Sequence, residues 1–457
     1  MESKLASHHS ESDRTLTPES VRFAINSFLA EQSMRMSRVT RRFGNSVLLL
    51  LSLLYGVFLY LLTINPVLNN SHTSFFEARY FWIIPSVVVL FGTGNFVFEA
   101  LSIKSIHYRL LLVFGLLLVL LPRILSYADP MYIPKLMRIT TLFVVSFNIL
   151  ILILIRRVPA SLKVLFFFAT ELLIVMYLKI TSYEGYFSES FWITQPLRYV
   201  FTFSYMAVGV GKNSLPELKK TKFWSYILTP TNFITPLPVP IEVWNKSSDD
   251  KLQELRGKAI VYLCLGLGSL TVTFFFQKLR MMLYAEASFP GVRQSLGGAL
   301  SYLYYYTFSF SNIIIPVSLL WWMGLAIPEP YDTPLLATTP QDRWRRWNFL
   351  FYEWYFRFVF FPVYKKTRNS FLAVMLSFVA TMFIHLGARN SEFVVFSMES
   401  HISRLFIRKM AFFAGHAFLV YGGLKLDRYL PKSNRRRAWL LVIAMFVIMS
   451  ALHYIFF

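Results

Sequence analysis

The chain has 457 residues, of which 55% are hydrophobic, 18% are aromatic and only 15% are charged. A soluble domain carries about 25% charged residues, so this composition argues against a soluble protein and favours one that sits in lipid. The net charge of +22 comes mostly from bases in loops beside apolar runs, which favours membrane topology over nucleic-acid binding.

The first 45 residues are polar and mixed in charge, and they predict a cytoplasmic N-terminal tail. Within the tail, residues 18–34 predict an amphipathic helix lying on the membrane surface. Its apolar side comprises Val21, Phe23, Ala24, Phe28 and Leu29. The arginines at positions 35, 38, 41 and 42 precede the first apolar run, which predicts that the N-terminus lies inside.

Residues 46–457 predict an all-α polytopic membrane domain of about 11 transmembrane helices, because each apolar run suffices to cross the hydrocarbon core. The predicted spans are 46–64, 81–102, 109–127, 138–155, 164–180, 190–211, 258–276, 295–326, 371–388, 408–424 and 438–457. The loop 212–258 is basic and is broken by prolines in its middle, so it is placed inside. Two connections fit the positive-inside rule less well. The connection 128–137 is placed outside, and 277–294 is predicted to be interfacial or re-entrant.

The stretch 327–387 carries the most unusual composition. A proline-punctuated loop at 327–340 leads into a helix that begins at about residue 340. Thr339 is a good N-cap, Pro340 suits the first helical position, and Asp342 is placed to complete a capping box. Pro362 is predicted to end or bend this helix.

Aromatic residues recur along this helix at helical spacing and predict an apolar face. They are Trp344, Trp347, Phe351, Trp354 and Phe358. A second side carries Arg343, Arg346, Leu350, Glu353 and Arg357, and a polar flank carries Asn348, Tyr352 and Tyr355. The aromatics suit packing or an interfacial belt. The arginines suit topology and headgroup contact, or binding of the phosphates of coenzyme A or a phosphopantetheine arm.

His385 lies about seventeen residues into an apolar run, where an ionisable side chain is costly and usually faces the bundle interior or a cavity. It is either a catalytic group or a partner for a neighbouring helix. His416 and His453 are similar lone candidates, and their positions in the chain do not rank the three.

The stretch resembles the membrane-bound O-acyltransferase (MBOAT) family, most closely the bacterial branch of alginate O-acetyltransferases and the teichoic-acid D-alanyl transfer protein. The residues that match its motifs are Gly324, Ile327, Pro328, Glu329, Pro334, Arg343 to Trp347, Pro362 and His385. A weaker match runs through residues 226–244, Leu255 to Gly257, and Gly266, so the resemblance covers about 225–425. Asn348 stands where that branch has histidine, and Ile384 stands where it has tryptophan.

The resemblance implies that His385 is the general base of acyl transfer and that Asn348 orients a substrate or donates to the oxyanion. The residues predicted to bind the substrate or the donor are Arg343, Trp344, Arg346, Trp347 and Tyr352. The donor would be acyl-CoA or an acyl-phosphopantetheine carrier protein on the cytoplasmic side, and no metal is required.

The implied acceptor is a hydroxyl of an extracytoplasmic glycan, in a bacterial plasma membrane and with a possible extracytoplasmic partner protein. A lipid hydroxyl is the nearest alternative acceptor. From other classes, the alternatives are a transporter or channel that uses intramembrane His385, Glu99 and Glu171, and a non-catalytic membrane scaffold.

Overall fold

The computed structural model describes residues 17–44, 46–64, 78–103, 105–128, 205, 224–226, 238–245, 251–286, 290–389, 400–426 and 435–456. Every regular element in these ranges is a helix, and no strand lies among them. The predicted all-α class is therefore confirmed for the described part of the chain.

Thirteen α-helices are described. They are α1 (Pro18–Phe43), α2 (Ser46–Ile64), α3 (Ala78–Ala100), α4 (Ile106–Ala128), α5 (Ile241–Asn245), α6 (Leu252–Glu286), α7 (Pro290–Trp322), α8 (Pro340–Trp347), α9 (Phe349–Tyr355), α10 (Phe361–Thr367), α11 (Ser370–Arg389), α12 (Ser400–Leu426) and α13 (Arg435–Phe456). A 3₁₀ turn spans Pro334–Leu336, and a π-helical turn spans Phe356–Phe360 between α9 and α10.

The long helices α6 and α7 pack antiparallel against each other. The hydroxyls of Thr273 and Thr307 are 2.7 Å apart. A Cβ at Gly266 would lie 2.6 Å from Ile314 and 2.7 Å from Ile315, so this glycine lets the two helices approach closely. Only small residues allow such backbone approach between apolar helices.

Two helical segments of the described chain are long and apolar enough to cross a membrane, namely Leu252–Arg280 in α6 and Leu296–Trp322 in α7. Shorter apolar segments lie in α2, α3, α4, α11 and α13. The predicted spans 138–155, 164–180 and 190–211 fall almost entirely outside the described residues, as does nearly all of the connection 128–137.

The connection 277–294 is mostly helical, because α6 continues to Glu286 and α7 begins at Pro290. Its interfacial or re-entrant position stays a prediction. The bases of this region are compatible with the helices, because Lys and Arg are good helix formers.

Helix α1 begins at Pro18 as predicted, but it extends to Phe43 rather than to residue 34, and it packs on α6. At the contact, Gly257 lies against the backbone of Ser33 and Ser37. Leu29 packs on the hydrophobic core, whereas Phe23 and Phe28 of the predicted apolar side are 75% and 58% exposed.

The described residues form a main hydrophobic core and smaller clusters beside it. The main core contains Trp321 and Trp322 of α7 together with Trp354 of α9. A second cluster joins α11 to α12 around Phe378 and Phe412. Helix α8 bridges the two, since Trp347 packs on the main core and Trp344 on the second cluster.

Candidate functional site

The loop before α8 is anchored to α6 by its acidic residue. The Glu329 carboxylate is 2.5 Å from Lys258 Nζ and accepts a hydrogen bond from the Tyr262 hydroxyl at 2.8 Å. The Trp321 indole N–H donates to the backbone oxygen of Ile327 at 2.7 Å. These contacts hold the loop before α8 against α6 and α7.

Helix α8 begins as the sequence predicts. The Thr339 hydroxyl accepts from the backbone N–H of Asp342 at 3.1 Å, and Pro340 occupies the first turn. The carboxylate of Asp342 pairs with Arg345 at 2.8 Å and with Arg346 at 2.7 Å. An acidic residue in the first turn also suits the helix dipole.

The expected single helix from residue 340 to Pro362 is wrong, because it breaks at Asn348. This residue has φ −162° and ψ 87°, and its side-chain oxygen accepts from the Phe351 N–H at 3.4 Å. The main chain on either side of the break pairs with the preceding loop through Asp332 N–H to Arg346 O at 3.0 Å and Phe349 N–H to Pro330 O at 2.7 Å. Tertiary pairing with the loop thus replaces two helical hydrogen bonds.

Pro362 does not end the helix, which continues to Thr367. Proline has no N–H to donate to the carbonyl four residues earlier. The preceding residues Phe356–Phe360 adopt the wider π-helical turn. Such turns are rare in proteins, but those that occur often lie at functional sites.

Arg343 is 8% exposed and lies between two aromatic rings. Its guanidinium carbon is 4.9 Å from the ring centre of Tyr302 and 4.7 Å from that of Trp347. Its Nη1 has no hydrogen-bond partner among the described residues. A buried guanidinium of this kind gains attraction from the ring faces and keeps donors for a further acceptor.

Arg346 is also buried, and carboxylates already pair with it. Its Nη2 donates to Glu19 of α1 at 2.6 Å, and its Nε lies 2.7 Å from Asp342. Within the described chain its Nη1 has no hydrogen-bond partner. A donor phosphate at Arg346 would therefore share the guanidinium with these two carboxylates, and the predicted donor-binding role stays a prediction.

A second ion pair ties α1 to the loop before α8, since Arg22 Nε donates to Asp332 at 2.9 Å. Burial alone would raise the pKa of Glu19 and of Asp332. The hydrogen bonds from Arg346 and Arg22 to Glu19, and from Arg22 and Asn26 to Asp332, outweigh burial. Both pKa values lie below their ordinary range.

A cavity of about 200 Å³ lies between α8, α9 and the π-helical turn on one side and α11 and α12 on the other. Its lining residues are Gln341, Trp344, Tyr352, Tyr355, Phe356, Phe360, Val374, Ser377, Phe378, Thr381, Val420 and Leu424. Trp344 and Tyr352, both predicted to bind donor, are among them. At this cavity α8, the tryptophan–arginine helix (Pro340–Trp347), faces α11, the helix that carries His385.

Some polar side chains that line the cavity form hydrogen bonds within the protein. Tyr355 hydrogen-bonds to Thr381, whose hydroxyl donates to the backbone oxygen of Ser377 at 2.8 Å. His385 follows Thr381 by four residues in α11, which is one helical turn or about 6 Å along the axis. The His385 side chain lies outside what the structure describes, so its predicted meeting with Asn348 remains a prediction.

The structure also places His416 beside this site. Its ring centre is 6.1 Å from that of Trp344 and 4.2 Å from that of Phe412. Its Nδ1 is 2.9 Å from the Phe412 backbone oxygen, which can only accept, so Nδ1 carries the proton. In the neutral ring Nε2 is then the basic atom.

Tyr355, Thr381 and Glu19 were not predicted as site residues. Nothing in the spacing along one helix could reveal Glu19, which reaches Arg346 across 327 residues of sequence. Tyr355 was placed on the polar flank of the predicted helix together with Tyr352, and this spacing was the one available signal.

Glu99, the residue on which the transporter alternative depends, lies in an ion-pair cluster. Its carboxylate accepts from Arg109 at 2.8 Å, from Asn95 at 3.2 Å and from Arg256. The cluster joins α3, α4 and α6. Glu171 lies outside the described residues.

Comparison with known protein families finds no matching family model, and comparison with curated proteins finds no match.

Proposed function

We propose that this chain is a polytopic membrane O-acyltransferase. It moves an acyl group from a cytoplasmic thioester donor to a hydroxyl of an extracytoplasmic glycan or envelope polymer. The observation that carries the proposal is the cavity between the tryptophan–arginine helix and α11, the helix in which His385 lies one turn beyond the lining residue Thr381.

The surface of the described helices supports a membrane setting. Leu53 of α2, Phe418 of α12 and Leu440 of α13 are 64%, 56% and 65% exposed. Large apolar side chains exposed on several helices are unfavourable in water, but suit contact with lipid chains. Together with the two long apolar helices α6 and α7, they favour several spans over one or two.

In the proposed reaction, His385 takes the proton of the acceptor hydroxyl as its oxygen attacks the thioester carbonyl. The negative charge that develops on the carbonyl oxygen is stabilised by the Asn348 amide, as an oxyanion donor. The tetrahedral intermediate then expels the thiolate as the ester is formed, and the thiolate takes up the proton held by His385, which restores the neutral base. A base held neutral in a dry site is suited to the first step.

The transporter alternative has less support, because Glu99 is held by two arginines in a helix-joining cluster. A lipid hydroxyl remains the alternative acceptor. Mass spectrometry of envelope glycans and lipids from cells with and without the protein would separate the two acceptors, since only one of them gains the acyl group.

The first prediction compares two histidines in the purified full-length protein. We expect His385→Ala to lower acyl transfer by about 10²–10⁴-fold, the usual effect of losing a general base. His416→Ala should lower it less, because this ring packs beside Trp344 and is not the proposed base. The measurement is transfer of a radiolabelled acyl group, with the thermal stability of each variant determined in detergent.

His107→Gln is the control, since His107 is buried but lies outside the cavity and is 2.9 Å from the Ser225 hydroxyl. A His385→Ala protein with unchanged transfer would remove the assignment. A selective loss with His416→Ala instead would move the base to His416.

A further inference from the structure

Arg343 carries a positive charge that no carboxylate of the described chain neutralises. The side chain is 8% exposed, its guanidinium lies between the rings of Tyr302 and Trp347, and its Nη1 has no hydrogen-bond partner within the described ranges. The ring faces attract the cation, but they do not accept the N–H groups at its edge. A buried charge without a counter-ion is costly, so this position favours an anion.

The carboxylates around α8 are already held by other arginines. The pairs are Glu19 with Arg346, Asp342 with Arg345 and Arg346, and Asp332 with Arg22. In this described group, three carboxylates balance three guanidiniums, and the charge of Arg343 is left over. One monovalent anion would make the group neutral.

Two further buried donors lie in the loop before α8. The hydroxyls of Tyr331, which is 5% exposed, and of Thr333 have no hydrogen-bond partner among the residues that the structure describes. This loop passes the guanidinium, because the Tyr331 ring is 6.0 Å from that of Trp347, and Leu335 packs on the cluster that contains Tyr302. A guanidinium N–H and two hydroxyls therefore lie around the same pair of rings, and all of them can donate to one anion.

The position of Arg343 favours a small anion over a donor phosphate. Gln341 and Trp344 of α8 line the cavity described above, whereas Arg343 does not. A phosphate of coenzyme A carries more than one negative charge or is joined to a long group, and it needs a wide opening. Chloride is monovalent, is only slightly larger than a water molecule, and accepts hydrogen bonds from N–H and O–H groups.

We propose that Arg343, Tyr331 and Thr333 bind a small monovalent anion, such as chloride, between α8 and the loop that precedes it. The anion neutralises the buried guanidinium and accepts hydrogen bonds from the two hydroxyls, so it links the loop to α8. A small carboxylate has the same charge and the same accepting role, and the experiment separates the two ligands. Binding of the anion is independent of the proposed acyl transfer.

The first test measures thermal unfolding of the purified full-length protein in detergent, in sodium chloride and in sodium gluconate at equal ionic strength. Gluconate is monovalent but too large for an enclosed site. We expect chloride to raise the unfolding temperature in a saturable manner, because a ligand of the folded state stabilises it. Arg343→Gln should weaken the apparent chloride affinity by at least about tenfold, the effect of losing a hydrogen bond from a charged group.

Arg345→Gln is the matched control, since it removes the same charge from α8 but the Arg345 side chain is 59% exposed. It should retain the chloride effect. A chloride effect that is absent, or equal in the two variants, would overturn the inference.

Acetate and 3′,5′-adenosine diphosphate are tested in the same way. Stabilisation by acetate in place of chloride, if lost in Arg343→Gln, would keep the site and make a small carboxylate its ligand. Stabilisation that depends on Arg343 and is given by the adenosine diphosphate alone would overturn the inference and favour binding of the donor.

Tyr331→Phe covers the case in which Arg343→Gln fails to fold. In gluconate it should be at least as stable as the unaltered protein, because it removes a buried hydroxyl that has no partner. In chloride it should be less stable, because the anion loses a donor. Tyr226→Phe is the control, since the Tyr226 hydroxyl donates to the Val239 backbone oxygen at 2.7 Å and its loss should lower stability equally in both salts. A Tyr331→Phe protein that is more stable in both salts would overturn the inference.

Discussion

At the residue scale, Asn348 combines a structural role with a proposed chemical one. Its side-chain oxygen caps α9, and its extended backbone ends α8. Asparagine and serine are nearly equivalent as N-caps, but only asparagine carries an amide donor. The two roles can therefore be separated by substitution.

We expect Asn348→Ser to unfold at nearly the same temperature as the unaltered protein, because the hydroxyl replaces the capping oxygen. Transfer should fall about 10²-fold or more, the effect of losing one oxyanion donor. Asn348→Ala serves as the comparison, and loss of the cap should destabilise it by about 0.5–2 kcal/mol. Full activity of the serine variant would leave Asn348 as a cap alone.

At the element scale, close packing of α1 on α6 depends on Gly257. A Cβ at this position would lie 2.8 Å from the Cα of Ser37, and close also to the backbone of Ser33. Backbone atoms cannot turn aside as a flexible side chain can. Any larger residue therefore pushes α1 away from α6.

Gly257→Ala should loosen α1 and expose residues 18–43 to limited proteolysis at rates above those of the unaltered protein. Gly268→Ala is the matched control, because the same helix has open space around that glycine. Alanine is favoured over glycine in a helix by about 1 kcal/mol. Gly268→Ala should therefore leave the stability of the protein unchanged or raise it. Equal protease sensitivity of the two variants would show that packing of α1 does not depend on its close approach to α6 at Gly257.

At the scale of the whole molecule, α1 contacts α8 and the loop before it, which lie more than 300 residues away in sequence. Glu19 holds Arg346, and Arg22 holds Asp332, so α1 and α8 are joined through charged groups. These ion pairs are partly exposed, so each contributes modestly. Their main effect is to set the position of α1 relative to α8.

The pH dependence of this docking follows from the two lowered pKa values. A carboxylate whose pKa is lower in the folded protein contributes stability above its ordinary value, which is 4.5 for Glu19 and 3.8 for Asp332. That contribution is lost as the pH falls through the lower folded value. We expect the hydrogen-exchange protection factors of residues 18–43, measured relative to the unfolded chain at the same pH, to be constant from pH 8 to about 5 and to fall below about pH 4.

The double variant Glu19→Gln, Asp332→Asn should remove this acid transition and show lowered protection factors throughout the range. Arg35 and Glu31 form a pair 2.6 Å apart within α1 itself, so Glu31→Gln is the control and should retain the transition. An acid transition that persists in the double variant would assign it to other groups.

The sequence by itself determined the all-helical class and the positions of most described helices, because apolar runs and their breaks are local properties. It also determined the start of α8, since Thr339 and Pro340 act through hydrogen bonds within one turn. The length of α6 and the packed position of α1 were not predicted. Both depend on contacts that join distant parts of the chain.

Only the tertiary structure decided where the helix after Pro340 breaks, because the loop at Pro330 and Asp332 takes the hydrogen bonds that a continuous helix would use. It also decided that Arg346 is held by Glu19, and that Trp344 lies beside His416 and a cavity. Helical periodicity assigns residues to a face, but the neighbour of that face is set by the packing of the whole chain. For this reason the tryptophan–arginine motif could be found in the sequence, whereas the cavity beside it could not.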